Sequence, residues 1–226
     1  MNGAPSRRQL IAELGVPVEW LHGRAAWRGL ARAHQAGDGR PVLVLPGFLA
    51  DDGSTRTLRR TLAAAGYAPA GWGLGRNRGI SPALIAAMLV RLETMTHERP
   101  AALIGWSLGG LYAREIAKLM PERVERVLTL GTPFSGDMHA NHAWRLYERV
   151  AGHAVGQLPV PAVLHEKPPA PTFALWSERD GIVAPAASRG LPGEADVQVQ
   201  VDCRHIGFTS APAALRAILE VLARPV

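Results

Sequence analysis

Lysine and cysteine are both scarce in this sequence of 226 residues. Lys118 and Lys167 are the only lysines, so arginines carry most of the positive charge behind the formal net charge of +6. These arginines are scattered and no aromatic residues alternate with them, a pattern typical of a solvated surface. We therefore expect no nucleic-acid partner. Cys203 is the single cysteine, which excludes an intrachain disulfide and a metal site built from several cysteines.

Long hydrophobic runs are also missing. No segment approaches the roughly 18 uninterrupted apolar residues of a transmembrane helix. The first residues, MNGAPSRRQLIAELGVPVEW, contain two arginines but no apolar core of signal-peptide length. These absences predict a cytoplasmic protein without stable membrane insertion. The 47% of hydrophobic residues predicts one folded domain over residues 1–226, and it does not indicate the oligomeric state.

Apolar runs and helical patterns alternate from Pro41 onwards. Most of the apolar runs have no polar residue, as strands buried on both faces do, and amphipathic segments lie between them. This alternation predicts a three-layer α/β/α fold with a mostly parallel sheet of about six strands. Such sheets place functional sites at the carboxyl ends of their strands. The predicted strands are 41–47, 67–73, 101–106, 126–131, 172–177 and 195–202.

Residues 1–40 precede the alternation and form a predicted helical extension. Trp20, Leu21, Trp27 and Leu30 are spaced as an apolar stripe on this helix. We expect the stripe to pack against the main domain rather than to lie on a membrane.

Residues 135–170 interrupt the alternation after the fourth strand. The segment HANHAWRLYERVAGH predicts a helix, and a proline-rich stretch follows it. An insertion of this length at the carboxyl end of a strand predicts a cap or lid over a substrate site. His139 and His142 in this segment lack a third ligand at a suitable spacing, so we expect no metal site there.

Two glycine-rich stretches resemble nucleotide-binding motifs, but each lacks a residue that its motif requires. Residues 105–110 have the glycine spacing of a phosphate-binding loop, yet Leu111 and Tyr112 follow where Lys and then Ser or Thr are needed. Residues 71–79, GWGLGRNRG, look like a dinucleotide fingerprint, yet Arg78 occupies the position of the third glycine.

The remaining interpretation of residues 105–109 is the nucleophile elbow G-x-S-x-G. A serine at a sharp strand-to-helix turn has a strained backbone, so its neighbours must be small, and Gly105 and Gly109 satisfy that need. The helix that follows directs its positive end at the site, which favours an oxyanion. Ser107 is therefore the candidate nucleophile. The alternative is a glycine-rich turn whose serine only caps a helix.

A serine nucleophile needs a base, and the base needs an orienting acid. In the order Ser, acid, His, the acid follows a later strand and the histidine follows the last strand. Asp180 and His205 occupy these places, and His205 is the only histidine after Asp180. Glu178 is a rival for the acid, whereas Asp202 lies too near His205 to be the first choice.

An oxyanion hole needs two backbone N–H donors. One is expected from Leu108, directly after the nucleophile, and the other from the loop after the first core strand. In that loop, LPGFLADDG, Phe48 is the expected donor and Leu49 is the alternative, while a plain Pro-Gly turn is the competing interpretation.

Together these residues resemble the α/β-hydrolase superfamily, and within it the bacterial lipase- and esterase-like serine hydrolases. The matching motifs are LVLPGF, IGWSLGG, LTLGTPFSG, SERDGIV and RHIGF, which follow the family's order over residues 41–208. The resemblance implies a Ser-His-Asp hydrolase without a metal or an organic cofactor. Pro46 and Trp106 stand where many lipases have histidine, which favours an esterase over a triglyceride lipase.

Apolar residues surround the predicted site. We expect Leu49, Trp106, Phe134, Ile182 and Ile206 to contact the substrate, which predicts a small apolar acyl or aryl ester. An acyltransferase or a thioesterase would use the same triad with a different acceptor or leaving group. A non-catalytic binding protein would share the fold, but its usual sign is a lost triad residue, and none is lost here.

Overall fold

A computed structural model describes residues 3–225 of the protein, and residues 1, 2 and 226 of the predicted domain 1–226 lie outside this range. The strands are β1 (Pro41–Leu45), β2 (Ala68–Gly71), β3 (Ala101–Trp106), β4 (Val124–Leu130), β5 (Thr172–Trp176) and β6 (Val197–Gln200). The helices are α1 (Arg7–Ala12), α2 (Val16–Ala33), α3 (Arg56–Ala64), α4 (Pro82–Met95), α5 (Leu108–Leu119), α6 (Trp144–Ala151), α7 (Pro185–Arg189) and α8 (Pro212–Leu222). Short 3₁₀ turns occupy Glu13–Gly15, Pro121–Arg123 and Ile206–Thr209.

The six strands form one sheet in the order β2-β1-β3-β4-β5-β6, and every neighbouring pair is parallel. The predicted sheet of about six mostly parallel strands is confirmed. The chain passes from β1 to β2 on one side and then returns to place β3 on the other side of β1. The crevice beyond the carboxyl ends of β1 and β3 is therefore the switch point where parallel sheets hold their sites.

Helices cover both faces of the sheet and make the predicted three layers. Val42 and Val44 of β1 face a core completed by α2, α3 and α8. Leu43 and Leu45 face the opposite core, which α4 and α5 complete. The interior strand β1 is buried at every position because both of its faces are covered, whereas the edge strand β6 alternates between partly buried and exposed positions.

The N-terminal extension is helical, but the predicted stripe is wrong at two positions. Trp27 and Leu30 pack against the core, while Trp20 and Leu21 remain 49% and 68% exposed. Helix α2 lies close to the rest of the domain at Gly23, where a Cβ would collide with the carbonyl oxygen of Ser210. The helix thus contacts the domain through Gly23 and through its C-terminal half, while Trp20 and Leu21 stay largely exposed.

Candidate active site

The turn between β3 and α5 presents Ser107 at the carboxyl edge of the sheet. Its backbone has φ 52° and ψ −122°, in a region that side-chain-bearing residues rarely adopt. A Cβ at position 105 would collide with the backbone of Gly109 and Gly110, and one at position 109 would collide with the carbonyl of Leu45. Glycine is therefore required on both sides of the serine, and the local geometry is the strand–turn–helix that the motif predicted.

Asp180 and His205 lie together in the interior. Nδ1 of His205 is 2.7 Å from Oδ2 of Asp180, and both side chains are buried. The other carboxylate oxygen of Asp180 accepts hydrogen bonds from the backbone N–H groups of Ile182 and Val183, at 2.9 and 2.8 Å. Three N–H groups thus hold the Asp180 carboxylate, which in turn orients the imidazole.

The two rival acids lie elsewhere. Glu178 is exposed, and its backbone carbonyl accepts a hydrogen bond from Gln9. Asp202 is exposed and forms an ion pair of 3.0 Å with Arg179. The acid that the structure brings to His205 is Asp180.

The surroundings of His205 set its pKa. Burial on its own would lower this pKa, because it disfavours the charged imidazolium. The charge of Asp180, its hydrogen bond and the charge of Glu13 act in the opposite direction and together raise the pKa above its ordinary value of 6.5. The imidazole is therefore a stronger base than a solvated histidine.

Ser107 and His205 are linked through Trp106. The indole Nε1 of Trp106 donates to the carbonyl of His205 at 3.0 Å, and the two rings lie 5.9 Å apart. Among residues 3–225, no hydrogen bond joins Ser107 Oγ directly to the imidazole. Trp106 therefore ties the nucleophile turn to the histidine loop and does not line the site.

Phe48 and Leu108, the two residues expected to donate to an oxyanion, line the same cavity as Ser107. Leu108 is the first residue of α5, so its N–H points out of the helix end without a helical acceptor. Gly47 approaches Ser107 closely enough that a Cβ there would be 3.2 Å from the serine Cβ. The backbone N–H of Leu49, the alternative donor, already donates to the carbonyl of Asn77 at 2.7 Å, so it is not free to bind an oxyanion.

Asn77 is a buried residue that the sequence did not predict for the site. Its side-chain amide donates to the carbonyl of Pro46 at 2.9 Å and accepts from the Tyr112 hydroxyl at 3.0 Å. Its backbone pairs with Leu49 and Ala50 at 2.7 and 2.8 Å. Asn77 therefore fixes the loop that carries Phe48.

Glu13 is a second residue that the sequence did not predict. One oxygen of its buried carboxylate accepts from the backbone N–H groups of Gly181 and His205, each at 2.9 Å. The other oxygen accepts from Ile206 at 3.4 Å. Glu13 thus joins the loop of Asp180 to the loop of His205, and nothing in its sequence neighbourhood indicates that role.

An open cavity lies beside Ser107. Its lining is mostly apolar: one wall is α5, with Ser107, Leu111 and Glu115 on successive turns, and another is the insertion, with Met138, Trp144 and Leu158. Of the five predicted substrate-contacting residues, Ile182 lines this cavity. The others lie outside it: Leu49 at the surface, Trp106 and Ile206 against the core, and Phe134 beneath Arg114.

The end of the insertion is anchored by the buried Arg114 of α5. Its guanidinium donates to the backbone carbonyls of Leu164, His165, Glu166 and Glu194, at 3.0 to 3.1 Å. Burial lowers the pKa of Arg114 to about 10 despite nearby acids, so the side chain is still charged at neutral pH. The wall of the cavity is thereby fixed to the helix that carries the nucleophile.

Several known proteins with similar sequences or structures are named esterases or lipases. No protein-family model matches the chain. The pimeloyl-acyl-carrier-protein methyl ester esterase of Pectobacterium atrosepticum is 42% identical over 60 residues, which are 26% of this chain and 23% of that protein, so the match spans about a quarter of the relative.

Two solved structures resemble most of the chain. A monoacylglycerol lipase of Paleococcus ferrophilus has a TM-score of 0.59 and 17% identity, covering 83% of this chain and 95% of that one. The naproxen esterase of Bacillus subtilis has a TM-score of 0.56 and 14% identity, covering 84% of this chain and 86% of that one. The protein thus has the α/β-hydrolase fold, as its motifs predicted.

Proposed function

We propose that the protein is a serine hydrolase that cleaves carboxylic esters through Ser107, His205 and Asp180. The observation that carries the proposal is the buried 2.7 Å pair of Asp180 and His205 beside a serine on a strained elbow. A serine that only capped its helix would not need this conformation, and its side chain makes no capping hydrogen bond.

In the proposed mechanism, Ser107 Oγ attacks the ester carbonyl while Nε2 of His205 takes the hydroxyl proton. Asp180 keeps the other imidazole nitrogen protonated and stabilises the imidazolium. The N–H groups of Phe48 and Leu108 hold the tetrahedral oxyanion. The imidazolium then gives its proton to the leaving alcohol, and water hydrolyses the acyl-enzyme by the same steps. No metal or organic cofactor is required.

The apolar cavity supports an apolar acyl or aryl ester as the substrate. We propose that residues 135–170 cap this cavity, because Met138, Trp144 and Leu158 of the segment form part of its wall. The similar proteins named above, a methyl ester esterase, a monoacylglycerol lipase and a naproxen esterase, support an ester substrate. Cytoplasmic localisation stays a prediction.

An acyltransferase or a thioesterase with the same residues is the second candidate. It differs from an esterase only in the group that leaves or accepts the acyl chain. Adding an alcohol or a thiol to the assay separates the two, since a transferase gives the transfer product in preference to the free acid.

The first experiment is labelling of the purified protein with a fluorophosphonate, followed by measurement of the intact mass. We expect one added phosphonyl group per chain, and no addition to Ser107→Ala or His205→Ala. Ser188→Ala is the matched control, because Ser188 is a buried serine away from the elbow, and it should label as the wild type does. An unlabelled wild type would favour a non-catalytic binding protein.

A further inference from the structure

Helices α1 and α2 and the 3₁₀ turn between them carry a line of exposed apolar side chains, here called the N-terminal stripe: Ile11, Leu14, Val18 and Leu21. Their exposed fractions are 65%, 81%, 54% and 68%. Their spacing of three, four and three residues places them on one side of the helical segment. Single exposed apolar residues are ordinary, but a continuous row of four marks a surface that contacts a partner.

The charged side chains around the stripe have one sign. Arg7, Arg8, Arg24, Arg28 and Arg32 are all exposed. The two acids of this segment turn towards the body, where Glu13 is buried and Glu19 pairs with Arg204 at 2.7 Å. The surface is therefore apolar with a positive border. This charge complements an anionic partner and opposes pairing of two copies, which would bring arginines face to face.

The same segment adjoins the candidate active site. The Gln9 side chain donates to the carbonyl of Glu178, two residues before Asp180. The carbonyl of Pro5 lies 2.7 Å from Nε2 of His142 in the insertion. The chain segment that leads into the stripe therefore contacts both the loop of Asp180 and the insertion.

We propose that residues 7–32 bind the surface of an anionic lipid bilayer, with the stripe lying among the headgroups and upper acyl chains. A protruding helix fits a fluid lipid surface without a complementary groove, and the exposed arginines at its border complement anionic headgroups. Within residues 3–225, no helix is long and apolar enough to cross a membrane, so this binding is peripheral. If the proposed ester hydrolysis holds, the surface delivers apolar esters dissolved in the lipid; the binding itself does not depend on it.

The test is co-sedimentation of the full chain with vesicles of phosphatidylcholine, with and without phosphatidylglycerol. We expect binding to the anionic vesicles that weakens with added salt, and at least tenfold weaker partitioning of the Leu14→Asp, Val18→Asp double variant. The matched control is Val90→Asp with Leu119→Asp, which adds the same charge at exposed apolar positions on α4 and α5 and should bind as the wild type does.

The stripe variant places charges within helical segments, so its folding is checked by thermal unfolding. A second variant, Arg7→Gln with Arg8→Gln, changes only side chains at an exposed helix end. This pair should weaken binding to anionic vesicles and flatten its salt dependence. The proposal is wrong if the wild type does not bind anionic vesicles. It is also wrong if the stripe variant and the Val90→Asp, Leu119→Asp control bind these vesicles equally well. If the wild type does not bind vesicles but captures an acidic protein, the stripe is a protein-binding surface. If it does not bind vesicles but is a dimer in solution, the stripe is the dimer interface. Hydrolysis of a water-soluble aryl ester by the wild type reports on the proposed function separately.

Discussion

The carboxylate of Glu13 accepts a hydrogen bond of 2.9 Å from the backbone N–H of His205, a residue 192 positions later in the chain. The same oxygen accepts from Gly181, next to Asp180. An N-terminal helix segment therefore fixes the distance between the loops of the acid and the base.

Replacing Glu13 by Gln removes a negative charge close to the imidazole. That charge is one cause of the raised pKa of His205, so its loss lowers the pKa. Because His205 must be neutral to act as a base, the acidic limb of the kcat/KM profile should move to lower pH. Glu13→Ala also removes the acceptor, and we expect a fall in kcat of about ten- to hundredfold.

The control for Glu13 is Glu19→Gln. It removes the same charge from the same segment, but Glu19 pairs with Arg204 and does not act on the imidazole. Its acidic limb should coincide with that of the wild type. Equal shifts in both variants would mean a general effect of charge and would reject a specific role for Glu13.

Replacing Asp180 by Asn should lower kcat/KM by about four powers of ten, as loss of the orienting acid does in triads of this kind. It should also lower the pKa of His205, since burial then acts with less opposition. The pH–rate profile measures both effects. Glu178→Gln and Asp202→Asn are the matched controls, and a comparable loss in either would contradict the assignment of the acid.

Asn77→Asp tests the support of the oxyanion loop. The substitution replaces the amide that donates to Pro46 with an oxygen that repels the carbonyl. We expect kcat to fall about tenfold or more with KM little changed, because a misplaced Phe48 donor affects the transition state rather than substrate binding. Phosphonate labelling should slow in parallel. An unchanged kcat in a variant with a lowered melting temperature would indicate a purely structural residue.

Leu111→Trp tests the length of the cavity. Ser107 and Glu115 are separated by about 12 Å along α5, at 1.5 Å per residue, and Leu111 lies halfway. A larger side chain there should shift the preference in an ester series to shorter acyl chains, with at least tenfold loss on the longest good substrate. Leu119→Trp, exposed on the same helix, should leave the series unchanged. A uniform loss across all chain lengths would place the acyl group elsewhere.

The sequence predicted the sheet and the elbow because both depend on neighbours along the chain. Buried parallel strands are continuous apolar runs, and the Gly-x-Ser-x-Gly turn meets its steric requirements within five residues. Asp180 and His205 followed from the order of the strands. These parts of the fold need no knowledge of long-range packing.

The roles of Glu13 and Asn77, which support the site, could not be predicted from the residues beside them in the sequence. Glu13 is one acid in an amphipathic segment, and its partners are 168 and 192 residues away. Asn77 lies in a glycine-rich stretch whose pattern suggested a nucleotide. Trp20, Leu21, Trp27 and Leu30 are all large apolar residues of one helix, and only the packing of that helix against the domain shows which of them reach the core.

The contact of Glu13 with the loops of Asp180 and His205 also orders events in time. A ribosome makes residue 13 long before residue 205, and contacts of such wide separation in sequence form late because their loop closure costs entropy. We therefore expect the Glu13 carboxylate to pair with these two loops only after the sheet has assembled. On this argument, the joining of the Asp180 loop to the His205 loop is a late step in the folding of the chain.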